Sequence, residues 1–129
     1  MKLSDFCSGI QHIGIPTNDL AASEKFYDDL GFSVVYRGYV PEKNQHVSFM
    51  QMHDLVLELY EETPALRDGA VNHIALNCLD IETAYCLAKE QGYRFLSDGI
   101  CSLGFWEKGI KYFIIEGPNK ERLEFCQKL

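Results

Sequence analysis

Two hexapeptides sixty-one residues apart constrain this chain more than anything else in it: Ile10-Gln11-His12-Ile13-Gly14-Ile15 and Val71-Asn72-His73-Ile74-Ala75-Leu76. Each reads as a short β-strand with one histidine in an otherwise apolar alternation. One such histidine would be unremarked, a hydrogen-bonded core or edge residue. Here the similarity continues without a gap, with Asp19 falling on Asp80, Leu20 on Ile81, Gly31 on Gly92 and Phe32 on Tyr93. Further on, Leu57-Glu58-Leu59 matches Leu123-Glu124-Phe125 at an offset of 66, so the second copy holds five extra residues in its later strands. Agreement over this many paired positions marks a duplicated supersecondary unit.

The elements of each copy follow from local signals. In the first, a strand over 10–15 leads to Thr17-Asn18-Asp19, whose side chains suit a helix start. A helix over 20–30 buries Leu20, Phe26, Tyr27 and Leu30, and Gly31 ends it. Strands over 32–39, 47–52 and 55–60 follow, joined by turns at 41–44 and 53–54. An acidic connector opens at Glu61-Glu62 and runs to Gly69. The order then restarts with a strand over 71–77, a cap at Asp80, and a helix over 81–91 with Ile81, Ala84 and Ala88 on one face. A strand over 93–96, a hairpin of 101–106 with 110–115 around Glu107-Lys108-Gly109, and a last strand over 122–127 complete it. Residues 1–9 form a leader with one helical turn. The fold class expected is α+β, with two βαβββ modules, 10–60 and 71–127, in a single domain of 129 residues.

Composition narrows the function. Apolar content of 47% and charged content of 24% are those of an ordinary globular protein. A net charge of −7, with no basic stripe to offset it, argues against nucleic-acid and membrane partners. No apolar run reaches the ~18 residues of a membrane span, and the first residues lack the apolar core of a signal peptide. Cys7, Cys78, Cys86, Cys101 and Cys126 are odd in number and include no C-x-x-C. That pattern predicts reduced thiols in a cytoplasmic protein rather than a disulfide framework or a zinc knuckle.

Strand alternation then sorts the polar residues by face. Leu55, Leu57 and Leu59 point to the helix side, so Glu58 points away with Val56 and Tyr60. Leu123 and Phe125 likewise leave Glu124 facing away with Arg122 and Cys126. On the opening strands the helix side takes Ile13, Ile15, Ile74 and Leu76, and His12 and His73 face away. A glutamate between apolar residues on a central strand is costly unless its charge is compensated, by edge exposure or by a cation. Two histidines and two glutamates make an N2O2 set for a divalent metal, with water completing a Lewis-acid site. Arg122 is placed to grip a substrate carboxylate through its guanidinium fork, or to pair with a surface acid. Phe49, Tyr60, Phe105 and Trp106 are candidates to line a substrate pocket, or simply fill space. His46 and His53 belong to exposed turns and edges. No phosphate loop, dinucleotide fingerprint or nucleophile elbow is present.

The stretches His12-Ile13-Gly14-Ile15 with Asn18-Asp19-Leu20, Phe26-Tyr27-Asp28-Asp29-Leu30-Gly31-Phe32, Leu57-Glu58-Leu59, Asn72-His73-Ile74-Ala75-Leu76, and Glu116-Gly117-Pro118-Asn119 leading to Leu123-Glu124-Phe125 carry a family resemblance. Together they resemble the vicinal oxygen chelate superfamily, also called the glyoxalase/bleomycin-resistance/dioxygenase family, over nearly the whole chain. The resemblance implies two βαβββ modules forming a cup-shaped mixed sheet around a metal. It implies that His12, Glu58, His73 and Glu124 are the metal ligands, in the chain order of bacterial glyoxalase I. A histidine in the first position is similar to the nickel- or cobalt-activated class, which makes Ni2+ or Co2+ the favoured cofactor and Zn2+ the alternative. Superfamily epimerases and fosfomycin-resistance transferases lack a glutamate at the place of Glu58, and bleomycin-binding members lack the set.

The implied activity is that of a lactoylglutathione lyase-like metalloenzyme, a carbon-sulfur lyase. It would isomerise a thiol hemithioacetal, or a similar small oxygen-chelating substrate, through an enediolate. Glu124 would move the proton, Glu58 would serve the opposite face, and a homodimer would be the usual assembly. Two departures bear on the substrate. Ile15-Pro16-Thr17 stands where glutathione-using members place an arginine, and Glu61-Glu62 stands where they place an asparagine. A different thiol or another oxygen chelate is therefore open. The alternatives are a protein that sequesters a small molecule such as an antibiotic without turnover, or another superfamily enzyme such as an epimerase, a thiol transferase or a ring-cleaving dioxygenase.

Overall fold

Aspartate starts both helices. In the computed structural model, which describes residues 1–6, 8–69 and 71–129, the Asp19 carboxylate accepts from the Ala22 N–H at 3.0 Å. The Asp80 carboxylate accepts from the Thr83 N–H at 3.1 Å. Each bond satisfies one of the donors a helix start leaves orphaned. Cys7 lies outside the described residues. The chain divides into two units, Met1–Pro64 and Ala65–Leu129.

The first unit opens with a 3-10 turn, Leu3–Phe6, followed by β1 (Ile13–Thr17), α1 (Leu20–Leu30), β2 (Ser33–Val40), β3 (Gln45–Met52) and β4 (Leu55–Glu61). Gly31 closes α1 in the left-handed region at φ 113°, its N–H reaching the Asp28 and Tyr27 carbonyls. The sheet order is β1-β4-β3-β2, with β1 parallel to β4 and the other pairs antiparallel. Helix α1 supplies the crossover that brings the chain back parallel to its start. Tyr27, Phe32, Met50, Leu57 and Leu59 form the core of this unit. Leu20, Phe26 and Leu30 are only half-buried, while Ser23 is fully buried beside Tyr27. Ser23 is tolerated there because its hydroxyl donates to Thr17 Oγ1 at 2.9 Å.

The second unit holds β5 (Ile74–Asn77), α2 (Ile81–Glu90), β6 (Arg94–Phe95), β7 (Cys101–Leu103), β8 (Ile110–Glu116) and β9 (Arg122–Lys128). Its order is β5-β9-β8-β6, with β7 also on β8 and β5 parallel to β9. Strands β6 and β7 together occupy the place that β2 holds in the first unit. The register locates the five extra residues. The offset between equivalent positions is 61 at Ser33 and Arg94, 63 at Val40 and Leu103, 65 at Gln45 and Ile110, and 66 at Leu57 and Leu123. Two residues therefore widen the break between β6 and β7, two lengthen the β7–β8 loop, and one lengthens the β8–β9 turn.

Three boundaries differ by three residues from those the sequence predicts, and the others by two or fewer. β1 and β5 begin at Ile13 and Ile74, so 10–12 and 71–73 are lead-in segments. There Gln11 and His12, and Asn72 and His73, spend their polar side chains on each other instead of extending the ladder. The β7–β8 loop covers 104–109, not 107–109, which puts Trp106 in the loop at φ 62°. Gly109 closes that loop at φ 85°, where a Cβ would sit 2.9 Å from the Leu103 carbonyl oxygen, so only glycine fits. No helix among the described residues is long and apolar enough to cross a membrane.

Leu57 is fully buried on the central strand β4. Leu57→Ala is expected to cost about 2–5 kcal/mol through lost burial and a residual cavity, read as a lower midpoint in urea unfolding. Leu123→Ala, at the equivalent position of β9, is expected to behave alike.

Candidate functional site

The parallel ladders fix where the glutamates sit. In the first unit Gly14 is opposite Glu58, and in the second Ala75 is opposite Glu124. Each histidine lies two residues before that small residue and therefore on the glutamate's face. His12 Nε2 is 3.7 Å from Glu58 Oε2, and His73 Nε2 is 3.8 Å from Glu124 Oε1. The small residue between them keeps the space over the glutamate clear. A Cβ at Gly14 would already stand 3.3 Å from the Tyr60 ring.

Each histidine is held from behind by the residue preceding it. His12 Nδ1 hydrogen-bonds the Gln11 side-chain oxygen, and His73 Nδ1 hydrogen-bonds Asn72 Oδ1 at 3.0 Å. An amide oxygen can only accept. Both imidazoles thus donate from Nδ1, which leaves Nε2 as the nitrogen that faces the carboxylate. In the second unit the support extends further: the Asn72 amide donates to Asp68 at 2.8 Å, and Asp68 accepts from Arg122 Nε at 2.9 Å.

The pairs suit a divalent metal in donor chemistry and nearly so in spacing. Two donors each about 2.1 Å from one ion, at 90–109°, lie roughly 3.0–3.4 Å apart. The separations of 3.7 and 3.8 Å are too long for hydrogen bonds and exceed that span by only a few tenths of an ångström. A metal-ligating imidazole usually donates its other N–H to a carboxylate, a backbone carbonyl or water, and here side-chain amide oxygens take that place. The structure brings together His12 with Glu58 and His73 with Glu124. The two pairs belong to different units, and among the described residues no group of three or more His, Cys, Asp and Glu is gathered for a metal.

The surroundings of each glutamate differ. Phe49 is directly across from Glu58 on β3 and meets His12 edge-on, with ring centroids 5.6 Å apart. Tyr60, two residues beyond Glu58, has its phenol pKa raised by burial, then by Glu62 and Glu58, so it remains a neutral donor. Around Glu124 are Tyr112 and Cys126, which face each other across β8 and β9. Burial raises the Cys126 thiol, followed by Glu124 and Cys78. The Tyr112 phenol is raised first by Cys101, then by burial. Cys126 therefore stays protonated at neutral pH and does not supply a thiolate. Cys78, Cys86, Cys101 and Cys126 are all free.

Other candidates from the sequence fall elsewhere. Arg122 lies on Glu124's face, but its Nε is engaged by Asp68, the surface-acid alternative. Trp106 is 71% exposed in the β7–β8 loop, with the Lys128 ammonium 4.6 Å from its ring centre, and Phe105 is exposed beside it. His46 is an exposed residue of β3 that pairs with Glu61 at 2.8 Å. The His46 backbone N–H first, and its ring second, hold the Glu61 carboxyl below its ordinary value. His53 is exposed in the β3–β4 turn. The residues missed are Gln11 and Asn72. Their signal was available, an amide immediately before each histidine at equivalent positions of the duplication.

Comparison with known proteins bears on the fold and the family. The sequence profile of the Glyoxalase/Bleomycin resistance protein/Dioxygenase superfamily matches residues 11–112. The chain is 33% identical over 127 residues to YwbC of Bacillus subtilis (strain 168), an uncharacterized protein, covering 92% of this chain and 97% of that one. The structure is similar to that of a glyoxalase family protein from Enterococcus faecalis, with a TM-score of 0.78 and 25% identity over 94% of this chain and 98% of that one. It also shares its fold with the trypanothione-dependent glyoxalase I of Leishmania major, at a TM-score of 0.74 and 24% identity over 94% and 87% of the two chains. With its mixed α+β units, duplicated ladders and this match, the chain belongs to the glyoxalase/bleomycin resistance protein/dioxygenase, or vicinal oxygen chelate, superfamily.

Proposed function

We propose that this protein is a metal-dependent isomerase of the glyoxalase I type, acting on a thiol hemithioacetal or a similar small substrate with adjacent oxygens. The observation that carries the reading is the repeated pair: in each unit a histidine engaged at Nδ1 turns Nε2 toward the glutamate of the equivalent strand. His12 and Glu58 from one unit, and His73 and Glu124 from the other, would hold the ion, within one chain or across a homodimer. Nickel or cobalt is favoured, with zinc the alternative. When bound, the ion polarises the substrate's oxygens and acidifies the C–H beside them.

The remaining chemistry falls to side chains. Glu124, the less exposed of the two glutamates at 15% against 27% for Glu58, takes the proton from the carbon bearing sulfur and returns it to the neighbouring carbon, while the hydroxyl proton passes to the former carbonyl oxygen. Glu58 faces the opposite side of the substrate. Tyr60 donates a hydrogen bond from its neutral phenol, and Phe49 keeps water from the reacting carbons. Glu61, Glu62 and the absence of an arginine at 15–17 disfavour glutathione, so a thiol carrying fewer carboxylates is the expected carrier. The protein would work in the cytoplasm, where such thiols are reduced.

The direct test is metal content by mass spectrometry after purification without chelator, then methylglyoxal turnover with a panel of thiols after nickel, cobalt or zinc reconstitution. Stoichiometric metal with turnover is expected. Metal without turnover for any thiol would overturn the isomerase assignment and keep the site, and a metal-free protein would favour sequestration. The amides behind the histidines give a finer check. Asn72→Leu and Gln11→Leu should each weaken nickel binding roughly 10–100-fold in calorimetry, with little change in the melting temperature because both residues are exposed.

A further inference from the structure

We infer that the second unit carries a carboxylate-binding subsite formed by Arg67, Lys120 and Arg122, which takes an anionic end of the substrate one pleat repeat from Glu124. In placing the reacting carbon at Glu124 this rests on the proposed isomerase reading, while the cation cluster stands on its own geometry. A cavity of about 270 Å³ is lined by these three cations together with Asp68 and Glu116. The chain has only 12 lysines and arginines against 19 acids, so gathering three cations around one cavity runs against its overall charge.

Several of the donors are open to a ligand. Arg122 uses Nε for Asp68, and its two terminal nitrogens have no partner among the described residues. Arg67 likewise has none. Lys120 pairs with Glu116 at 3.7 Å, beyond hydrogen-bond distance, and shares that acid with Arg94. A guanidinium with both terminal nitrogens open offers the bidentate fork that carboxylates fit.

Charge and spacing define the ligand. Three cations and two acids leave the cavity one positive charge, which matches a carboxylate monoanion. A phosphate dianion would meet Asp68 and Glu116 as well. Arg122 faces Glu116 across β8 and β9 and lies two residues before Glu124 on the same face. Two residues along a strand span about 7 Å. The substrate class is therefore a small oxygen-chelating compound that carries a carboxylate at one end.

The test uses the metal-free full chain, labelled with nitrogen-15 and titrated with propionate, with neutral propionamide and with inorganic phosphate. Propionate should give saturable shifts centred on Arg67, Lys120 and the Arg122 side-chain N–H, and propionamide none. Arg67→Gln and Lys120→Gln should each weaken propionate roughly tenfold, the size of one charge-assisted hydrogen bond, and both should keep wild-type nickel affinity. Shifts that are absent, centred elsewhere, or unchanged in both variants would overturn the subsite. Phosphate binding tighter than propionate would overturn its assignment to a carboxylate. Nickel binding is read separately, so propionate binding without nickel binding would sink the metal reading while supporting the subsite.

Discussion

Replacing both His12 and His73 by alanine is expected to abolish measurable nickel binding. A four-ligand structural zinc site is worth about 10–16 kcal/mol, so each ligand carries about 3 kcal/mol, or roughly a hundredfold in affinity. Each single variant should lose about two orders of magnitude, and the pair about four. Folding should be spared. The two side chains are 36% and 43% exposed, and neither residue belongs to a strand ladder. Calorimetry with nickel, paired with a thermal melt, separates loss of the site from loss of the fold. Unchanged nickel affinity in the double variant would remove the histidines from the metal centre.

The second large effect is expected at Glu124. Glu124→Gln keeps the side chain's shape and one oxygen but removes the proton acceptor. Turnover should fall by about 10²–10⁴-fold, the usual contribution of a positioned acid–base group. Glu58→Gln should fall less if it serves mainly as ligand. Because either change also removes a carboxylate from the metal, bound nickel must be counted by mass spectrometry in the same samples. Rates are then compared per metal-loaded protein. A Glu124→Gln enzyme as fast as wild type, with Glu58→Gln inactive, would exchange the roles of the two residues.

Much of this architecture was legible because its signals are local. Asp19 and Asp80 announce helix starts, Gly31 announces a helix end, and a sixty-one-residue echo announces duplication. α1 spans the predicted residues, and α2 ends one residue early, at Glu90. Strand starts were less legible. Side-chain alternation runs on through Gln11 and Asn72, but the ladder begins only at Ile13 and Ile74. The β7–β8 loop was misplaced because Glu107-Lys108-Gly109 resembles a turn, while the actual constraint is the carbonyl of Leu103 pressing on Gly109. The partner of Arg122 could not be read at all, since Asp68 is 54 residues away in sequence. Of the candidate site, the facing of His12 to Glu58 and of His73 to Glu124 followed from strand period two, and the amides behind the histidines were visible but unremarked.

The late start of β1 and β5 has a mechanical consequence. Glu58 and Glu124 are riveted into the ladders, and moving either means breaking inter-strand hydrogen bonds. His12 and His73 precede the first rung of their ladders, so inter-strand hydrogen bonds do not fix their backbone. Each unit therefore opposes a side chain anchored by the sheet to one anchored only by its sequence neighbour.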